Sequence, residues 1–192
     1  MLVAMTFDDG PHPKLTSRLL DLMAQRGVVG TFFVVGRNVR AHPQLVRRMV
    51  AEGHEVASHT DTHPSLTKIS EASVVGELER TEKAIVAAAQ IKPTLLRPPY
   101  GATNERVRRL AFSRFGYLTI LWSVDPLDWR RPGPQVVASR LIEGAQPGGI
   151  LLAHDIHAGT IDAMPAVFDE LLRRGYRFVT VSQLLAQGRA LP

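Results

Sequence analysis

Several short strings in this chain hold acidic, basic and imidazole side chains that local structure alone does not require. Asp8 and Asp9 are adjacent carboxylates that follow an apolar run and precede Gly10-Pro11. Such neighbours repel, and a Gly-Pro stop lets both turn to one side, so the pair either holds a cation or caps its own turn. His59 and His63 stand four apart, which places two imidazoles within reach of one metal ion. Alone, that spacing more often marks surface or capping histidines. A carboxylate from Asp8 or Asp9 completes a two-His, one-Asp set with positions left open for water and substrate. Oxygen and imidazole donors favour Zn2+ or another first-row divalent ion over Ca2+ or Mg2+.

Arg97 ends an apolar run, where an unpaired cation is costly, so a carboxylate partner is expected; the plainer alternative is a surface arginine stacked on Tyr100. Asp128 and His154 can form an acid–imidazole pair, in which the carboxylate fixes the tautomer and raises the pKa. Trp129 reads equally well as simple core, and Leu152, taken alone, reads as core. His12, His42, His54 and His157 lack a comparable constellation and read as structural or surface residues, although His154-Asp155-Ile156-His157 is a dense polar cluster.

These strings must be positioned by the elements around them. β-branched and aromatic runs predict strands over Leu2–Phe7, Gly30–Val35, Glu55–Ser58, Thr94–Arg97, Tyr117–Val124, Gly149–Ala153 and Arg177–Val181. Helical spacing and capping residues predict helices over Leu15–Arg26, Pro43–Ala51, Ser70 to about Ala89, Asn104 to about Phe115, Pro134–Glu143 and Asp162–Arg174, with Ser182 capping a last short one. Seven β-then-α units imply a parallel sheet, either a small distorted barrel or a doubly wound open sheet. In such folds working groups lie at the carboxyl ends of strands, and a curved sheet brings the five strings to one rim.

The 192 residues suffice for one well-buried core but not comfortably for two, so a single α/β domain over 1–192 is expected. With 45% hydrophobic and 21% charged residues, the chain reads as globular and soluble, not disordered. No apolar run reaches the ~18–20 residues of a membrane helix. The first residues are too short and uncharged for a signal peptide. Absence of cysteine excludes disulfides, thiolate zinc sites and a cysteine nucleophile. The formal charge of +5 suits anionic surfaces. Its arginines, however, are scattered along helical segments (Arg47, Arg48, Arg106, Arg108, Arg109, Arg173, Arg174) without interleaved aromatics, which favours solvated helix faces over a nucleic-acid site. No glycine fingerprint of a nucleotide site is present.

Taken in order, Thr6-Phe7-Asp8-Asp9-Gly10-Pro11, His59-Thr60-Asp61-Thr62-His63, Arg97-Pro98-Pro99-Tyr100, Asp125-Pro126-Leu127-Asp128-Trp129 and Leu152-Ala153-His154 resemble the motifs of the polysaccharide deacetylases, carbohydrate esterase family 4 or the NodB homology domain. The resemblance covers essentially the whole chain and implies a distorted (β/α)7 barrel. It implies Asp8 as general base, Asp9, His59 and His63 as metal ligands, and Arg97 as the residue that orients the base. It further implies the Tyr100 N–H as oxyanion donor, Asp128 and Trp129 as the residues that tune the acid and line the acetyl pocket, Leu152 as a pocket wall and His154 as general acid. The roles of Asp61 and Asp125 stay open.

The implied reaction is metal-dependent removal of N-acetyl groups from a polysaccharide or oligosaccharide, such as peptidoglycan N-acetylglucosamine or chitin oligomers, with Zn2+ as the expected ion and Co2+ or another first-row ion as the alternative. An O-acetyl xylan esterase of the same family and a non-catalytic glycan-binding module are the competing readings, and intact Asp8, Arg97 and His154 speak against the latter. The expected protein is a monomer without nucleic-acid partners or a membrane span. It is expected to be secreted or wall-associated with its leader absent from this chain, with a cytoplasmic location as the alternative.

Overall fold

The computed structural model describes residues 1–188, and residues 189–192 of the expected domain lie outside the described part. The elements are β1 (Leu2–Asp8), α1 (Leu15–Ala24), β2 (Thr31–Val34), α2 (Gly36–Ala41), α3 (Pro43–Ala51), β3 (Glu55–Ser58), α4 (Glu71–Ala89), β4 (Leu95–Leu96), α5 (Glu105–Phe115), β5 (Leu118–Thr119), α6 (Pro134–Gly144), β6 (Ile150–His154), α7 (Ala158–Arg173), β7 (Arg177–Phe178) and α8 (Val181–Gly188). The sheet runs β5-β4-β3-β2-β1-β6 and every pairing is parallel, with β7 joined to the first residues of β1. This is the single-domain, distorted (β/α)7 architecture that the family resemblance implied, and not the doubly wound open sheet.

Alternation along the strands sorts the core into two layers, because successive side chains point to opposite faces. Val3, Met5 and Phe7 of β1 pack with Phe32, Leu151 and Ala153 against α1 and α7 residues such as Leu19, Met23, Met164 and Phe168. The other face turns Ala4, Phe33, Ala57, Leu95 and Ile120 into the barrel. One pleat further along the inner face come Thr6 and then Asp8, and the register sets Asp8 beside His154 of β6. The same alternation that buries the core thus delivers polar groups to one rim.

Four expectations need correction. Tyr117–Val124 is not one strand: Ile120 N donates to Leu96 O of β4, but Ser123 N and Val124 N donate to Ile150 O and Leu152 N donates to Val124 O. The segment leaves one sheet edge for the other, so neither neighbour offers a continuous ladder, and that transfer closes the barrel. Arg177–Val181 is a strand only at Arg177 and Phe178, its ladder with β1 ending where Val179 N donates to Val3 O, and Ser182 does not cap the last helix. Thr180 does so in a reciprocal box, its Oγ1 accepting from Gln183 N while Gln183 Oε1 accepts from Thr180 N. The Ser182 hydroxyl and N–H go instead to Glu55. Finally, α7 begins before the expected Asp162, with Thr160 and Ile161 buried and Pro165 held inside the helix. Helix α2 corresponds to no expected element, since six residues are too few to display a period. The Ser70 and Asn104 caps are present, accepting from Ser73 N and Val107 N.

Phe32 is 1% exposed, stacked on Phe7 at 5.3 Å and met edge-on by His54. Phe32→Ala is expected to lower unfolding free energy by about 3–5 kcal/mol in urea titrations, through lost burial and the cavity left behind.

Candidate active site

A cavity of about 420 Å³ opens at the carboxyl ends of the strands, lined by Asp8, Asp9, His59, His63, Tyr100, Trp122, Asp125, Trp129, Leu152 and His154. Asp8 ends β1 and is almost fully buried. Its Oδ1 accepts from Arg97 Nη1 at 2.7 Å, and the same nitrogen donates to Thr6 Oγ1 at 2.7 Å while Nη2 donates to Leu121 O. Arg97 is completely buried, with its guanidinium 4.1 Å from the centre of the Phe33 ring. Burial pulls its pKa down and Asp8 opposes that pull. The arginine therefore has the carboxylate partner its position required, and the alternative of a surface residue stacked on Tyr100 does not hold. Tyr100 is 72% exposed and packs on His63.

Asp9, His59 and His63 offer one donor atom each, all within 4.8 Å of one another. Asp9 Oδ1 lies 3.4 Å from His59 Nε2 and 3.3 Å from His63 Nε2. Donors bound tetrahedrally at ~2.0–2.1 Å stand roughly 3.3–3.4 Å apart, so the spacing fits one first-row ion. Two further observations agree. Asp9 Oδ1 is buried without a hydrogen-bond partner. His59 Nδ1 lies 2.6 Å from Arg97 O, to which it donates, leaving Nε2 unprotonated and free to ligate. Burial raises the Asp9 pKa, but when the neighbouring imidazoles of His59, His154 and His63 carry a proton their charge outweighs it and brings the value to about 2. Burial, reinforced by His59, lowers that of His63 and favours the neutral ring a metal requires.

Beside this triad, His154 Nδ1 lies 2.7 Å from Asp128 Oδ1, and Asp128 Oδ2 accepts from His154 N and Thr160 Oγ1. Burial alone would lower the His154 pKa, but the Asp128 hydrogen bond and charge, with Asp8 and Asp9 beyond, raise it to about 9. An imidazolium whose Nδ1–H is committed to Asp128 presents its Nε2–H to the cavity and can give up that proton. Trp129 is 48% exposed at the cavity edge and so is not core, whereas Leu152 is buried in the wall. Asp125 lines the cavity and accepts from Leu127 N. Asp61 is not part of the triad and is paired instead with Arg40 and Arg80.

Several contributing residues were not singled out from the sequence: Thr6 on Arg97, Thr160 on Asp128, Asn38 donating to Asp9 O at 2.8 Å, and Trp122 in the cavity wall. Asp155, fully buried, accepts from Thr16 Oγ1 and lies against Gly10, where any Cβ would fall on its carboxylate. Burial pushes its pKa to about 7. His12 and His54 are structural, accepting from Leu15 N and Gly30 N respectively.

The family model described as polysaccharide deacetylase matches residues 1–120. The chain belongs to this family. It is 40% identical over 185 residues to the peptidoglycan-N-acetylglucosamine deacetylase PgdA of Listeria monocytogenes, which covers 96% of this chain but 39% of that protein. It is 39% identical over 197 residues to the chitooligosaccharide deacetylase of a Bradyrhizobium species, covering 95% of this chain and 90% of the relative. The solved structure of the T48 deacetylase with substrate superposes with a TM-score of 0.92 at 44% identity, covering 97% of this chain and 91% of the other. The family is metal-dependent, in keeping with the Asp9, His59 and His63 cluster.

In the metal-free protein, the His154 imidazole resonances are expected to titrate near pH 9, charged below and neutral above. Asp128→Asn removes the charge that raises the value most and leaves Asp8, Asp9 and the burial that lowers it, so the NMR midpoint is expected to fall by about a unit or more.

Proposed function

We propose that the chain is a metal-dependent hydrolase that removes N-acetyl groups from a cell-wall or chitin-type glycan and releases acetate. The observation that carries this reading is that one cavity is lined, beside a metal-fitting triad, by Asp8 and His154, each held from behind by a buried partner, Arg97 and Asp128 respectively. Asp9, His59 and His63 are the proposed ligands, and Zn2+ is the proposed ion. Bound there, it would supply Lewis-acid polarisation of the acetamide and a more acidic water.

The protein's own groups carry the proton traffic. Asp8, its Oδ1 committed to Arg97, takes a proton from the attacking water as general base. The Tyr100 N–H is the proposed donor to the oxyanion that develops on the carbonyl oxygen. His154 then gives its Nε2 proton to the departing nitrogen, which an amide needs because an amine anion leaves very poorly. Leu152 and Trp129 form the proposed pocket for the acetyl methyl group.

The names of the relatives make peptidoglycan N-acetylglucosamine and chitooligosaccharides the first substrates to consider, and the net charge of +5 suits an anionic wall polymer. A peptidoglycan substrate would put its action at the cell wall, whereas a chitooligosaccharide substrate is compatible with a cytoplasmic enzyme. Among the described residues no helix is long and apolar enough to cross a membrane. A single chain presents every proposed group, so a monomer is the proposed working unit.

Acetate release from a panel of N- and O-acetylated glycans, with and without chelator, tests the proposal. Release from an N-acetylated glycan that chelator abolishes is the expected result, and no release on any substrate would favour a binding module. Asp8→Asn should lower kcat by about 10²- to 10⁴-fold with zinc content unchanged, whereas Asp9→Ala or His59→Ala should lose both. Wild-type turnover by Asp8→Asn enzyme would refute the base assignment.

A further inference from the structure

The segment between His59 and His63 is held from two sides. From one side, the backbone of α2 takes its carbonyls: Gly36 N donates to Thr60 O at 3.0 Å and Arg37 N to Asp61 O at 3.1 Å. The approach is close enough that a Cβ at Gly36 would fall on the Asp61 carboxylate. From the other side, Glu77 takes its N–H groups. Glu77 Oε2 accepts from Asp61 N at 2.9 Å and from Thr62 N at 2.7 Å, and Oε1 accepts from Thr62 Oγ1 at 3.0 Å and from Arg80.

Glu77 is a carboxylate in the interior of α4, 5% exposed, a position at which a charge is costly unless its oxygens are filled. Three of its four donors belong to the residues between the two histidines. Those histidines flank a strained stretch, since Thr60 and His63 both lie in the left-handed region, at φ 68° and 66°. Such backbone persists only where its surroundings over-determine it. A segment held on both its carbonyls and its amides meets that condition.

We infer that Glu77 is a positioning residue for the metal site, fixing the loop between His59 and His63 so that both Nε2 atoms converge on Asp9 before an ion arrives. The inference rests on the reading of Asp9, His59 and His63 as ligands. Glu77 touches neither ligand side chain, and it acts by sparing the ion the work of ordering the loop. Its removal therefore weakens affinity while leaving the donor atoms intact.

The test is Zn2+ affinity, measured by competition with a chelating indicator, on full-length wild type, Glu77→Ala, Glu77→Gln and Asp9→Ala, with folding checked by circular dichroism. Glu77→Ala is expected to bind Zn2+ about 10- to 100-fold more weakly, as outer-shell partners of metal sites typically do. Its kcat should recover toward wild type at saturating Zn2+, a rescue that general misfolding does not give. Glu77→Gln keeps an oxygen for both loop amides and should regain most of the affinity. In metal-stripped wild type, slow hydrogen exchange at the Asp61 and Thr62 amides is expected, and this readout needs no variant to fold. Wild-type affinity in Glu77→Ala, or fast exchange at those amides, overturns the inference while Asp9→Ala still fails to bind. Wild-type affinity in Asp9→Ala overturns the ligand reading and the inference with it.

Discussion

The buried contact between Arg97 and Asp8 is the constraint on which the rest of the molecule turns. Arg97 is wholly enclosed, yet its side chain reaches β1 at Thr6 and Asp8 and the β5 segment at Leu121, while its carbonyl takes the proton of His59. One residue thus holds Asp8, the proposed base, through its guanidinium and His59, a proposed ligand, through its backbone. Removing either member of such a pair leaves a buried charge uncompensated, at a cost of about 3–5 kcal/mol. The Phe33 ring beneath it and the inner-layer alternation of Ala4, Thr6 and Asp8 are what make room for a cation inside a barrel.

What the sequence made legible follows from where information is local. Asp8-Asp9, His59 to His63 and Asp128-Trp129 are contiguous strings of uncommon types, and strand ends are where parallel folds put chemistry, so they could be read without knowing any contact. Helices α3, α4 and α5 were legible for the same reason, each having a proline or a capping side chain at its start. Glu77, Asn38 and Thr160 were not legible. Each is an ordinary helix residue whose importance lies in a partner 16, 29 or 32 residues away. Helix α2 escaped notice although it holds both Asp9 O and the loop between the histidines. The β5 segment misled because its apolar character reports burial, while its ladder changes neighbour midway.

Charge is distributed with similar economy. The excess of arginine looked like a surface property, and much of it is: Arg26 with Asp169, Arg48 with Asp21 and Glu52, and Arg173 and Arg174 with Glu170 are exposed or half-exposed pairs of little energetic weight. Arg40 and Arg80 differ because the carboxylates they meet, Asp61 and Glu77, are buried. Those two cations neutralise acids that the interior would otherwise reject, so part of the arginine content belongs to the architecture of the rim.

Asp9, Thr60, His63 and Tyr100 all hold left-handed backbone at that rim. Glycine at any of them would relieve of order 1 kcal/mol of strain. At Asp9 and His63 it would also delete a donor atom, at Thr60 the hydroxyl that accepts from His63 N, and at Tyr100 the ring that packs on His63. Natural selection for heat tolerance and selection for the proposed activity therefore oppose one another at these four positions. A lineage of this chain moving to hotter surroundings would gain its stability in helix caps, loops and surface residues, and the rim would be the last part of the molecule to change.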